Sequence, residues 1–176
     1  MRSIKFPVLL AILAAGIFST ASHAQTVQLR VTVENLAPTN SIAFAPLRVG
    51  FNNGTFDAFN NAQTATAPII SIAEGGSGSD WFPAFHAADP TATLGTVVPN
   101  PAGPLLPGVV ASGVFSVDTS INRFFTFAAM AVPSNDNFIG NDSPTKFMLF
   151  DSAGQLRGAL LDQLLEVALV AAVFND

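Results

Sequence analysis

A chain of 176 residues with a formal net charge of −5 and only 11% charged residues is poorly suited to neutralising phosphates, which excludes nucleic-acid binding. The absence of cysteine excludes disulfides, thiol nucleophiles, Cys-ligated zinc and iron–sulfur clusters. Sixteen Phe, no Tyr, 13 Gly and 12 Pro, with few Lys and Glu, favour short strands joined by polar turns, so a mostly β chain is expected.

In chain order, Arg2 and Lys5 precede an uncharged, mostly apolar run from Phe6 to Phe18. The following Ala21-Ser22-His23-Ala24 places small residues one and three positions before a cut after Ala24, the pattern of an export signal. The apolar run falls short of the ~20 residues that span a bilayer, so no membrane span is expected. The reading is a signal peptide over residues 1–24 and a secreted or periplasmic domain over 25–176. That domain retains five Lys/Arg and twelve Asp/Glu, a net charge of −7, and one histidine, His86. A lone histidine cannot build a His-rich metal site.

The exported part opens on a clear strand. Val27, Leu29, Val31 and Val33 alternate with Gln28, Arg30, Thr32 and Glu34. Pro38 lies in the turn that ends it, and a second extended piece, Ile42 to Phe51, carries Pro46, which suits an edge or bulge. A polar passage from Asn52 to Thr66 follows, with Phe56 and Phe59 expected to pin it to the core. Ile69 to Glu74 fits a helical turn or a strand. Asp80 to Phe85 reads as a short helix or loop packed inward, and Pro90 to Pro107 as irregular.

Val109 to Val117 and Arg123 to Val132 are good strands, with Asp118 to Asn122 as a hairpin turn. The second is apolar on both faces, which predicts a central, covered strand. Phe147 to Phe150 is a further strand and Asp151 to Gly154 a turn. Leu156 to Val173 looks helical, with Asp162 and Glu166 on its wet face.

No catalytic constellation is apparent. Gly75-Gly76-Ser77-Gly78-Ser79 lacks the last glycine of a nucleophile elbow and the lysine of a phosphate loop. Asn53-Gly54-Thr55 and Asn141-Asp142-Ser143 match the glycosylation tripeptide. The informative stretch is Val132 to Ser143, where Asn135 to Asp142 holds two carboxylates and three carboxamides. Oxygen-rich loops at strand ends suit calcium, which takes six to eight oxygens at irregular angles, and make Asp136 and Asp142 the candidate metal residues. A turn whose Asx side chains bond their own backbone explains the same residues.

Ala129-Met130-Ala131-Val132-Pro133-Ser134-Asn135-Asp136-Asn137-Phe138-Ile139-Gly140 closely resembles the central motif of the spondin N-terminal domain family, in its bacterial branch. Val31 to Leu36, Phe44 to Leu47, Asn141 to Pro144 and Phe150 to Gly154 continue the likeness, which covers roughly residues 29–158. The resemblance implies an antiparallel β-sandwich similar to C2 domains, with short helices or loops in insertions. It further implies an extracellular role in adhesion or matrix contact rather than catalysis.

In animal relatives the motif's aspartate, matched by Asp136, holds calcium with two acids of a later Asp-Ala-Gly-Thr-Asp/Glu segment. This chain has no such segment: residues 169–173 are apolar, so the tail 156–176 is divergent.

The functional expectation is a non-enzymatic, secreted, spondin-like domain that contacts an extracellular or cell-surface macromolecule, with calcium as a possible aid. The alternatives are a carbohydrate- or surface-binding module stacking ligand on Trp81, Phe82 and Phe85, and a periplasmic hydrolase with paired carboxylates such as Asp136 and Asp142.

Overall fold

The computed structural model describes residues 25–157 in full and the backbone of 162–164 and 167–174. The expected signal peptide, residues 1–24, lies outside the described residues. Two antiparallel sheets face each other in a β-sandwich, and a third, helical layer covers the outer face of one of them.

The first strand, β1 (Thr26–Asn35), forms as its alternation dictates. Leu29, Val31 and Val33 are wholly buried, while Gln28 and Arg30 are exposed and Thr32 is half-buried. Its neighbours in the first sheet are β5 (Val110–Asp118) on one side and β10 (Val167–Phe174) on the other, with β9 (Asp162–Leu164) beyond β10.

The expected C-terminal helix is therefore corrected. Residues 167–174 pair antiparallel with β1, Val33 opposite Leu169 and Gln28 opposite Phe174, and Asp162 opens a strand rather than facing water from a helix. The sequence Val-Ala-Leu-Val-Ala-Ala-Val-Phe is apolar throughout. Periodicity does not separate a buried helix from a buried strand in such a run. β1 pairs with it along its whole length and β9 over Val167–Leu169, and that pairing decides the outcome. Glu166 lies outside the described residues.

The second sheet runs β4 (Thr93–Val97), β3 (Leu47–Asn52), β6 (Phe124–Val132). Two short strands, β7 (Phe138–Gly140) and β8 (Phe147–Met148), share the remaining edge of β6. Ala128 pairs with Arg48 on one side and Gly140 on the other, so β6 is a central strand as expected.

The extended piece around Pro46 splits into β2 (Ala43–Phe44) and β3, both on β6. From Phe44 opposite Ala131 to Arg48 opposite Ala128, the proline-bearing strand uses four steps against three. That extra residue is a bulge at Ala45-Pro46, where the missing proline N–H goes unneeded.

Two further expectations are corrected. The segment from Pro90 to Pro107 is not wholly irregular, because β4 pairs with β3 between its prolines, Leu47 opposite Val97 and Phe51 opposite Thr93. Asp118 to Asn122 is a turn, but not a hairpin. Asp118 Oδ1 accepts from the Ser120 N–H at 2.9 Å and its carbonyl from the Asn122 N–H at 2.8 Å, while β5 and β6 lie in different sheets. The turn thus arches the chain across the sandwich. Local sequence specifies a turn's chemistry, whereas which strands pair is settled by burial on both sides.

Between the sheets lie Leu29, Val31 and Val33 from β1, Phe51 from β3, Phe125 and Phe127 from β6, and Phe147 and Phe150 from the chain after β7. On the outer face of the second sheet, α1 (Ala67–Gly75) and α2 (Trp81–Ala88) pack with the 53–66 passage. Ile69, Ile72, Trp81, Phe85 and Phe56 are buried there against Ala128. Gly50 permits this contact: a Cβ at that position would meet the Phe85 ring at 2.5 Å.

Arg48 ties the helical layer to the sheet. Its guanidinium donates to the Gly76 carbonyl at the end of α1 (2.7 Å) and to Thr96 Oγ1 (3.0 Å). A cation at a helix C-terminus complements the carbonyl dipoles. Partial burial lowers its pKa from the usual arginine value through desolvation. A lysine cannot reproduce the fork, so Arg48→Lys is expected to lower stability by about 1 kcal/mol in denaturant titration.

Candidate functional site

Phe124 to Val132 runs straight through the second sheet until Pro133, which has no N–H to continue the ladder. The chain then reverses. Ser134 Oγ accepts from the Asn137 N–H at 2.9 Å, and the Asn137 carbonyl accepts from the Ala131 N–H at 2.8 Å. β7 returns antiparallel with Met130 opposite Phe138 and Ala128 opposite Gly140.

Gly140 is required by close approach, since a Cβ there would stand 2.9 Å from the Phe127 carbonyl oxygen. The motif that carries the family resemblance is thus one hairpin. Asn135, Asp136 and Asn137 are exposed at its tip, and the Asp136 carboxylate forms no hydrogen bond among the described residues.

Asn141 behaves oppositely. It is buried, its Oδ1 accepts from the Phe127 N–H at 2.9 Å, and its Nδ2 donates to the Ser143 carbonyl at 2.9 Å. Thr126 Oγ1 lies between Asn141 (3.5 Å) and the buried Asn52 (3.1 Å), so a polar chain crosses β3, β6 and the exit of β7.

Of the three carboxamides in the oxygen-rich stretch, one is therefore an architectural group. Its glycosylation tripeptide is inaccessible in the folded protein, whereas Asn53 of the other is exposed. Asn141→Ala would strand the Phe127 N–H, and is expected to lower unfolding free energy by about 1–2 kcal/mol in denaturant titration.

The two candidate metal residues flank β7. Asp136 precedes β7 by two residues and Asp142 follows it by two.

Asp142 is half-buried and accepts from Asn61 Nδ2 at 2.8 Å. Among the described residues no group of three or more His, Cys, Asp or Glu could hold a metal. His86 sits exposed in the last turn of α2.

Trp81 and Phe85 are fully buried and Phe82 is half-buried. Trp81 meets Phe56, Phe82 and Phe85 edge-on, with centroids 5.6, 5.4 and 4.9 Å away. A ring enclosed on these sides offers no face to a ligand. The stacking platform expected there is core instead, because three aromatics at helical spacing all turn toward the sheet.

One juxtaposition escaped the sequence. The passage from Phe56 to Thr66 does pin itself to the body as expected, Phe56 inside the helical layer and Phe59 edge-on to Phe138 at 4.9 Å. What was not legible is its destination, the side of β7. Phe59, Asn60, Asn61, Gln63, Ile69 and Phe138 surround a cavity of about 200 Å³ there. The only local signal was an aromatic followed by carboxamides in a loop.

Among the described residues no helix is long and apolar enough to cross a membrane. No protein-family model matches this chain, and no curated protein does either.

Proposed function

We propose that this is a secreted, spondin-like contact domain that binds a cell-surface or matrix macromolecule through the edge of its second sheet and carries out no catalysis. The observation that supports it is the form of the resembling motif. Ala129 and Ala131 are buried in β6, Met130, Val132, Phe138 and Ile139 are half-buried, and Asn135, Asp136 and Asn137 stand exposed at the tip of the β6–β7 hairpin. Loops held by a rigid sheet are where binding groups are commonly presented. An exposed tip with an acidic, carboxamide-rich surface suits polar contact with a partner. A signal peptide over residues 1–24, the reading of the sequence, would carry such a surface out of the cytoplasm.

Calcium assistance rests on Asp136 alone, flanked by Asn135 and Asn137. One carboxylate makes a weak site, since affinity grows with ligand charge and rigidity. Calorimetric titration is expected to give one calcium site with a dissociation constant of about 10⁻⁴–10⁻³ M, as in extracellular modules. The site should vanish in Asp136→Ala and persist in Asp142→Ala. Equal heats in all three proteins would remove calcium from the reading.

The contact itself is tested by retention of the labelled protein on intact cell envelopes. Retention is expected to fall several-fold when Asn135, Asp136 and Asn137 are all changed to Ala. Unchanged retention would place the contact elsewhere.

A further inference from the structure

From the cavity beside β7 we infer a binding site for a neutral sugar ring, formed between the 59–65 loop and Phe138. Its volume of about 200 Å³ is below that of drug-sized pockets, so it suits a single ring with part of that ring left in solvent. The walls combine two kinds of chemistry. Phe59 and Phe138, both half-buried, meet at 90° and provide apolar ring surface. The C–H face of a pyranose packs against such rings, whose faces carry the negative side of the quadrupole.

Around them stand Asn60, Asn61 and Gln63. The Asn60 amide nitrogen is held by Asp57 at 2.9 Å and that of Asn61 by Asp142 at 2.8 Å. Each carboxamide is thereby anchored through its donor end, and its oxygen is left as an acceptor for a ligand hydroxyl. Gln63 supplies both a donor and an acceptor.

No cationic side chain lines the cavity, so phosphate and carboxylate ligands gain nothing there. Its two neighbouring carboxylates are occupied by the asparagines. A neutral, hydroxyl-rich ligand with one apolar face fits what remains. Ala62, on the same wall, holds φ at 62°, a left-handed conformation that non-glycine residues seldom adopt, and strain of this kind concentrates at ligand clamps.

The inference deepens the contact reading, and rests on it, by naming a glycan as what is contacted. Saturation-transfer NMR with free glucose, galactose, mannose and N-acetylglucosamine at millimolar concentration reads the cavity directly. Transfer to ring C–H protons of at least one sugar is expected. Phe138→Leu should weaken binding roughly threefold to tenfold, the worth of one aromatic contact. Gln63→Ala, an exposed loop change that leaves thermal melting unaltered, should weaken it several-fold.

Absence of transfer from all four sugars, or transfer undiminished in both variants, would overturn the site. A protein that gives no transfer yet still adheres to envelopes loses this cavity and keeps its contact function.

Discussion

Replacing Trp81 with Ala is expected to cost about 3–5 kcal/mol, the range for emptying a large aromatic from a packed interior. Trp81 has no exposed surface and is held by three other rings, so few neighbours are free to collapse into the space. At about 2–4 °C per kcal/mol for a domain of this size, melting should fall by about 6–20 °C. Trp81→Phe should cost far less. The indole Nε1–H is buried without a hydrogen-bond partner, and phenylalanine removes that unpaired donor while keeping most of the ring packing. Thermal melts of the two variants check the pair. Equal losses would mean that phenylalanine cannot replace the packing of the full indole.

Gly50→Val is expected to cost about 3 kcal/mol, at the upper end for overpacking. The added Cβ would lie 2.5 Å from Phe85 and 3.0 Å from Leu94. Phe85 cannot swing away freely, because it stacks on Phe56 at 4.1 Å and meets Trp81 on another side. If that clash is the cause, shrinking Phe85 should relieve it. The double variant Gly50→Val with Phe85→Ala should therefore be more stable than the sum of the single losses implies, by more than about 0.5 kcal/mol. Strict additivity in denaturant titration would show that Gly50 matters for a reason other than its closeness to Phe85.

Sequence was informative where a strand's surroundings are set by its own pattern. The β1 alternation was decisive because one face of that strand meets the core and the other meets water. The apolar pattern of β6 revealed its central place for the complementary reason. Pro46 marked a bulge because its missing N–H has few other homes in a sheet.

Other features were hidden by their dependence on distant partners. The Asp118 turn is locally unambiguous, but nothing local says that its arms join different sheets. The tail's leucines imitate a helix until β1 and β9 offer their edges. At the candidate site, the oxygen-rich composition of residues 135–142 was legible, but the division of labour within it was not. Asn141 faces inward to cap the Phe127 N–H while Asn135 and Asn137 face water, a consequence of where β7 ends. The cavity walls were split between residues 59–69 and Phe138, and only the docking of that loop joins them.

The account turns on the claim that the edge formed by the β6–β7 hairpin and the neighbouring 59–65 loop is the contact surface. Amide hydrogen exchange of the full protein, alone and with isolated cell-envelope material, tests it most directly. Protection confined to residues 133–143 and 59–65, with the outer face of β1 and β5 unchanged, is the expected result. Protection centred on Gln28 to Glu34 and Val110 to Ser116 instead, with the hairpin exchanging as in the free protein, would contradict it.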